Sequence, residues 1–222
     1  NKKNLGAGKS FEKGLDYCIN NEFDYVVKVD GDDQFLEDDV LTIIKIQNKN
    51  LYDYIKCDRF WENGVIGNMP TIRYLGNTLA SIFLKFASGF NSSNDPLNGL
   101  MSIKTKNLAP IKLPKKFHRY GYPFFYALYF YEQALHSDIK IAHFKNAVIY
   151  RNEKSYLSPL VMLQKLIRYT FKTKVRTIST KLKSSNLQPS ALLDISAIIS
   201  TLLTVYSFVK IISIRYFAED GS

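Results

Sequence analysis

Tyr25-Val26-Val27-Lys28-Val29 runs directly into Asp30-Gly31-Asp32-Asp33-Gln34. A short apolar run closed by a Gly- and Asp-rich turn reads as a buried strand. Two or three carboxylates and an amide therefore stand at its carboxyl end. Their oxygens are hard donors that suit Mg²⁺ or Mn²⁺, ions that keep positions open for water and substrate phosphates. An ion there would act as a Lewis acid on a departing diphosphate. The same residues also read as a plain acidic turn after a strand.

Outward from this turn the pattern alternates. Upstream, Phe11, Leu15, Cys18 and Ile19 have helical spacing, with Ser10 placed as an N-cap. Downstream, Asp38 or Asp39 is placed to cap a helix through Val40, Ile43, Ile44 and Ile46, and Tyr54-Ile55-Lys56-Cys57 follows as a second strand. Helix, strand, helix, strand predicts an α/β fold with a mainly parallel sheet flanked by helices. Ligands in such sheets sit beyond the carboxyl ends of strands, where Asp30 to Gln34 and Asp58-Arg59 both fall. Thr71 to Ser88 reads as a two-faced helix, apolar at Leu75, Leu79, Ile82 and Phe86 and polar at Arg73, Asn77, Ser81, Lys85 and Ser88. That polar stripe is either a solvated surface or an anion-facing wall of a cleft. Pro123 to His136 is an aromatic helix with core composition, and Lys140 to Phe144 and Ala147 to Tyr150 read as closing strands.

Bulk properties narrow the function. The 222 residues are 46% hydrophobic, which excludes a disordered chain, and the net charge of +10 asks for an anionic partner. The two cysteines, Cys18 and Cys57, form no CxxC, and His118, His136 and His143 lack zinc-site spacing, so a reduced, cytosol-facing protein is expected. The chain opens on Asn1-Lys2-Lys3-Asn4 without an initiator Met and stops at Ala218 to Ser222 without a closing element, so a piece cut at both ends is expected.

The carboxyl-terminal part carries the charge. Lys154 to Leu193 contains no acidic residue, while Lys165, Arg168, Lys172, Lys174, Arg176, Lys181 and Lys183 accumulate opposite an apolar helical repeat. Such a helix or helix pair lies on anionic lipid, binds acidic partners, or packs as a solvated surface helix. The uncharged run Ile195 to Val209, extended through a snorkelling Lys210 to Ile214, approaches bilayer-spanning length. A transmembrane helix over 190–217 is expected, with a buried helix of a soluble bundle as the other reading. The basic flank places the preceding domain in the cytoplasm, at the cytoplasmic membrane. Ser196, Ser200, Thr204 and Ser207 form a small hydroxylic face that predicts a partner helix, from the same chain or from a second protomer as a homo-oligomer. Bases set against a membrane span, rather than in a groove with stacking aromatics, argue against nucleic acid.

Gly6-Ala7-Gly8-Lys9-Ser10 does not make a phosphate loop of the Walker type, because Lys3 stands where the first glycine is needed. It remains a small-residue turn opening a helix, with backbone amides that favour a phosphate. Together, Asn4-x-Gly6-x-Gly8, Lys28-Val29-Asp30-Gly31-Asp32-Asp33-Gln34 and Asp95-Pro96-Leu97-Asn98-Gly99 resemble the N-x-G, D-x-D-x-Q and D-x-x-S-G motifs of family 2 glycosyltransferases of the GT-A fold. The branch is similar to dolichol-phosphate mannose synthase and the bacterial polyprenyl-phosphate glycosyltransferases. The resemblance covers Asn4 to about Ser155, giving a catalytic domain over 1–155, juxtamembrane helices over 156–189, the membrane helix, and a tail over 218–222.

The resemblance implies a GT-A, Rossmann-like fold truncated at its amino end, since the family's opening strand with P-x-x-N-E is missing. It implies that Asp30, Asp32 and Gln34 hold Mg²⁺ or Mn²⁺, and that Asn4, Gly6, Asp30 and Arg59 meet a nucleotide-sugar donor. Arg73, Asn77, Lys85, Arg151 and Ser155 are then placed at the acceptor, with Arg73 and Asp95 at the transfer centre. Asn98 replaces the family's usual serine, and Q-x-x-R-W is absent, so transfer of a single sugar is expected. A polyprenyl-phosphate acceptor arrives ionised and needs no strong base; a hydroxyl on a lipid-linked glycan needs one, and Asp95 is the candidate. A membrane-anchored adaptor without catalysis is the reading of another class.

Overall fold

The computed structural model describes residues 4–88, 94–151 and 159–183, together with Ser196, Ile199 and Ser200. The chain divides into two compact units, Asn1–Lys172 and Thr173–Ser222. In the first, α1 (Ala7–Asn20) leads into β1 (Tyr25–Lys28), α2 (Glu37–Gln47), β2 (Tyr54–Asp58), β3 (Val65–Gly67) and α3 (Thr71–Ser88). Then follow β4 (Met101–Lys104), a 3₁₀ turn at Lys115–Phe117, α4 (Tyr122–Ala134), β5 (Ile141–Lys145) and β6 (Val148–Tyr150); α5 (Pro159–Lys183) begins in the first unit and continues into the second.

The α/β class stands, but the mainly parallel sheet does not. The principal sheet has the order β1-β4-β2-β5. β4 is antiparallel to both β1 and β2, and only the β2–β5 pair is parallel. A second sheet pairs β3 with β6 in parallel. The sequence reading contained no strand at Met101–Lys104 and so led β1 straight to β2. In register, Met101 pairs with Lys28 and with Lys56. β4 therefore starts where β1 and β2 end, and the segment before it, Asp95 to Leu100, lies at the same sheet edge as the acidic turn.

Side-chain alternation along β2 builds a core on each face. Tyr54 joins Leu15, Leu84, Phe117, Phe124, Tyr126, Phe130 and Tyr131 under α1, α3 and α4, its ring stacked on Phe130 at 4.6 Å. Ile55 and Cys57 turn the other way onto Ile43 and Leu100, with Val40 and Ile46 of α2 packed around them. Each buried aliphatic or aromatic side chain of this kind contributes about 1.5–3 kcal/mol. The aromatics of α4 are core, as their composition suggests.

Three local readings are corrected. Helix α1 begins at Ala7 on Gly6, whose φ of 86° suits glycine, and Ser10 lies inside the first turns rather than at the cap. Helix α2 begins at Glu37 with Leu36 as N-cap, so Asp38 and Asp39 occupy the first turn, and Asp39 Oδ2 accepts a bond from the Ala147 amide at 2.8 Å. In α3 the faces are inverted: Asn77, Ser81 and Ser88 are buried, while Ile72, Leu75, Leu79 and Ile82 are 53, 53, 40 and 55% exposed. The buried polar groups find partners, Ser81 Oγ on the carbonyls of Asn77 and Asn94 and Ser88 Oγ on Leu84 O. A periodic pattern separates two stripes without saying which faces inward.

Among the described residues the basic segment forms one helix, α5, whose first turns belong to the first unit: Leu166 is buried there and the Tyr169 ring packs on Phe117 at 5.2 Å. No helix of the described residues is long and apolar enough to cross a membrane. The expected span over 190–217 and its hydroxylic face lie outside the described residues, apart from Ser196, Ile199 and Ser200.

Candidate functional site

The turn after β1 is gripped from two sides. On one side Gly99 packs so closely that a Cβ there would collide with Asp30 Oδ2 and lie 2.9 Å from Lys28 Nζ. On the other, the Ile149 amide donates to Gln34 O at 2.9 Å, Phe35 bridges to Val148, and Arg151 pairs with Asp33 at 2.8 Å. Asp33 takes a left-handed φ of 59°, a conformation Asp tolerates, which folds the turn back toward β6. Motifs far apart in sequence thus meet at the carboxyl ends of β1 and β2.

Lys28 ends β1 and is 9% exposed; its Nζ lies 2.5 Å from Asp30 Oδ1 and 5.2 Å from the Tyr122 ring centroid. Burial pulls this ammonium below the ordinary lysine value, with Asp30 opposing the effect. Asp32 is exposed and Gln34 half-buried. The donor set fits a hard divalent ion: two carboxylates and an amide oxygen in one turn, accessible from solvent. Among the described residues no group of three His, Cys, Asp or Glu side chains is assembled to hold a metal. The set depends on Gln34, and an ion would share Asp30 with Lys28.

Beneath the turn lies a buried polar network around Asp95, which is 0% exposed. Its Oδ2 accepts from Arg59 N at 3.0 Å, Arg59 Nε at 2.6 Å and Asn98 Nδ2 at 3.1 Å; Oδ1 accepts from Arg59 Nη2 and Asn77 Nδ2, at 3.0 and 2.9 Å. Burial alone would raise this carboxyl, but Arg59, Lys56 and these bonds hold it below the ordinary carboxylate range. Arg59 Nη1 also donates to Tyr150 Oη at 2.5 Å, and the Arg73 guanidinium stands 5.8 Å from the same ring. Asn98 donates to Asn146 Oδ1 at 2.8 Å and takes the Leu100 amide on its own Oδ1 at 3.0 Å, which shapes the loop into β4.

The expected residues divide by place. Asp30, Asp32, Gln34, Arg59, Arg73, Asn77, Asp95 and Arg151 are linked through the turn, the Asp95 network and Tyr150. Asp95, Arg59 and Asn77 hold one another, so Asp95 has its lone pairs taken and is poorly placed as a base. Lys85 lies farther along α3, on Asn94 Oδ1 at 3.0 Å. Asn4 and Gly6 belong to the start of α1, where Asn4 Oδ1 accepts the Gly6 amide at 3.0 Å and Lys9 N donates to His118 O at 2.9 Å. They connect toward Lys28 through the rings of Phe11 and Tyr122, 5.9 Å apart. Ser155 lies outside the described residues.

Sequence reasoning passed over Lys28, Lys56 and Asn146. Lys56, fully buried in β2, donates from Nζ to Asn98 O at 2.6 Å, and burial pushes its ammonium down to about 8 against the pull of Asp95. Its signal was a lone lysine inside the apolar strand Tyr54-Ile55-Lys56-Cys57. Asn146, also fully buried, left no signal, since its role comes from a distant loop. No protein-family model matches this chain, and no curated protein matches it by sequence.

Proposed function

We propose that this chain is the catalytic part of an inverting, metal-dependent glycosyltransferase, similar to family 2 enzymes of the GT-A fold, that moves one sugar from a nucleotide-sugar to a polyprenyl phosphate at the cytoplasmic membrane. The observation that carries the reading is the seating of Gly99 against Asp30. It joins the D-x-D-x-Q turn to the D-x-x-N-G loop at one sheet edge.

Asp30, Asp32 and Gln34 are the residues that would hold Mg²⁺ or Mn²⁺. Bound there, the ion supplies Lewis-acid stabilisation of the charge gathering on the nucleoside diphosphate. Arg73 and Arg151 bring positive charge to the same edge for anionic oxygens. The acceptor phosphate oxygen attacks the anomeric carbon from the face opposite the diphosphate. The new C–O bond forms as the old one breaks, and its electron pair leaves with the nucleoside diphosphate.

The saturation of Asp95 supports an acceptor that is already ionised. A hydroxyl of a lipid-linked glycan would need a base, and a carboxylate that accepts five hydrogen bonds is a poor one. The test incubates membranes carrying the chain with labelled nucleotide-sugars and Mn²⁺ and isolates the lipid product. A mild-acid-labile monosaccharide lipid that disappears in Asp32→Ala is the expected result. Undiminished transfer by that variant, made in the full-length protein, overturns the metal assignment, and donor turnover by the full-length protein excludes the adaptor.

A further inference from the structure

The inverted helix α3 leaves a continuous apolar stripe on the outside of the first unit. Ile72, Leu75, Leu79 and Ile82 recur at spacings of three, four and three, and are 40 to 55% exposed. They occupy one side of the helix over about 15 Å. Isolated exposed apolar residues are ordinary, but a contiguous row marks a surface that another phase or molecule covers. At the amino end, Tyr74 borders an open pocket of about 330 Å³ shared with Phe60, Val65, Met69 and Thr71. At the other end Phe86 continues the row and its ring meets Phe171 of α5 at 5.7 Å.

Charge identifies the occupant. Within the first unit, Thr71–Ser88 and the stretch 159–172 contain no Asp or Glu, in a chain that has 20 of them, and every charge they carry is Lys or Arg. Beside the Phe171 end, Lys116 sits 4.7 Å over the Tyr169 ring and is pushed below the ordinary lysine value by partial burial and by the neighbouring Lys172 and Arg168. A cationic cluster at the end of an apolar row matches an anionic bilayer, whose headgroups take the bases while its acyl boundary takes the row. A protein partner would have to bring its own acids, and an apolar chain segment would leave the cluster unmatched.

We infer that the outer face of α3, through Ile72, Leu75, Leu79 and Ile82, lies in the interfacial layer of an anionic lipid bilayer. This contact differs from the expected carboxyl-terminal span and does not depend on the metal site. It leaves Arg73 and the buried side of α3 facing the Asp30 edge.

The test uses the full chain with Cys18→Ser and, singly, Leu75→Cys, Leu79→Cys or Ile82→Cys, each bearing an environment-sensitive fluorophore. Leu41→Cys on α2 is the control. With vesicles of phosphatidylcholine and phosphatidylglycerol, the three α3 labels shift to the blue and are quenched by doxyl-labelled lipid, while the Leu41 label stays aqueous. α3 labels that remain aqueous on vesicle-bound protein overturn the inference. So do labels already shielded before vesicles are added, which point to a segment of the chain or a second copy. Should the variants misfold, a membrane-partitioned diazirine added to the unsubstituted chain must mark the Thr71–Ser88 peptide; an unmarked peptide overturns the inference equally.

Discussion

Arg59 and Asp95 form a buried ion pair across 36 residues, with Nε 2.6 Å from Oδ2 and Nη2 3.0 Å from Oδ1. The side chains are 12 and 0% exposed. Desolvating both ions is costly, and what offsets it is the surrounding set of donors from Asn77, Asn98 and the Arg59 amide. The pair therefore locks the loop before β4 to the end of β2, beneath the turn proposed to hold the metal.

Removing one partner leaves the other charge buried alone. Asp95→Asn is expected to destabilise the domain by about 3–5 kcal/mol, measured by urea unfolding. Asp95→Asn with Arg59→Met is expected to recover part of that loss, which a double-mutant cycle reads directly.

The same carboxylate sets an acid limit. Its folded value lies below the ordinary aspartate value of 3.8, so its stabilising contribution is present above 3.8 and is lost as pH falls through the lowered folded value. Unfolding free energy measured from pH 5 downward should fall in the parent protein, and the part of that slope due to Asp95 should be missing in Asp95→Asn.

Lys56 works in the opposite direction. Its folded value is about 8 against 10.5 for an ordinary lysine, so between those pH values the unfolded chain binds more protons and this group's contribution to stability rises with pH. Lys56→Met should remove that rise. A parent and variant with parallel stability profiles from pH 7 to pH 10 would contradict the burial of its charge.

Gly99→Ala tests the contact between the two motifs. The added methyl displaces the Asp30 carboxylate and crowds Lys28. Mn²⁺ affinity, followed by electron paramagnetic resonance, should fall on the order of tenfold, about 1.4 kcal/mol. The circular dichroism of the domain should be retained.

Helix α3 offers a paired comparison. Leu79→Ser, on the exposed stripe, should change stability by no more than about 0.5 kcal/mol in the absence of lipid. Asn77→Leu strips partners from Asp95 Oδ1 and the Leu97 amide, and should cost about 1–3 kcal/mol. Equal costs in thermal unfolding would mean that the helix is not oriented as described.

Local patterns, read from the amino-acid sequence alone, determined most elements: the strand into Asp30, the long helix Thr71–Ser88, the aromatic helix α4 and the basic helix α5. These depend on periodicity and turn chemistry, which are properties of neighbouring residues. Asp30 was legible for the same reason, as a carboxylate in the turn that closes a strand, whereas Arg59, Asp95 and Arg151 were singled out only through the resemblance of their motifs. Only the tertiary structure decided the rest. The antiparallel insertion of β4, the burial of the polar side of α3 and the use of Lys56 and Asn146 all arise from pairings tens of residues apart. Asn77 can be buried because Asp95 reaches it, and Asp95 reaches it because β4 enters the sheet from the site end. No local pattern carries that information, because the free energy that selects it belongs to both partners at once.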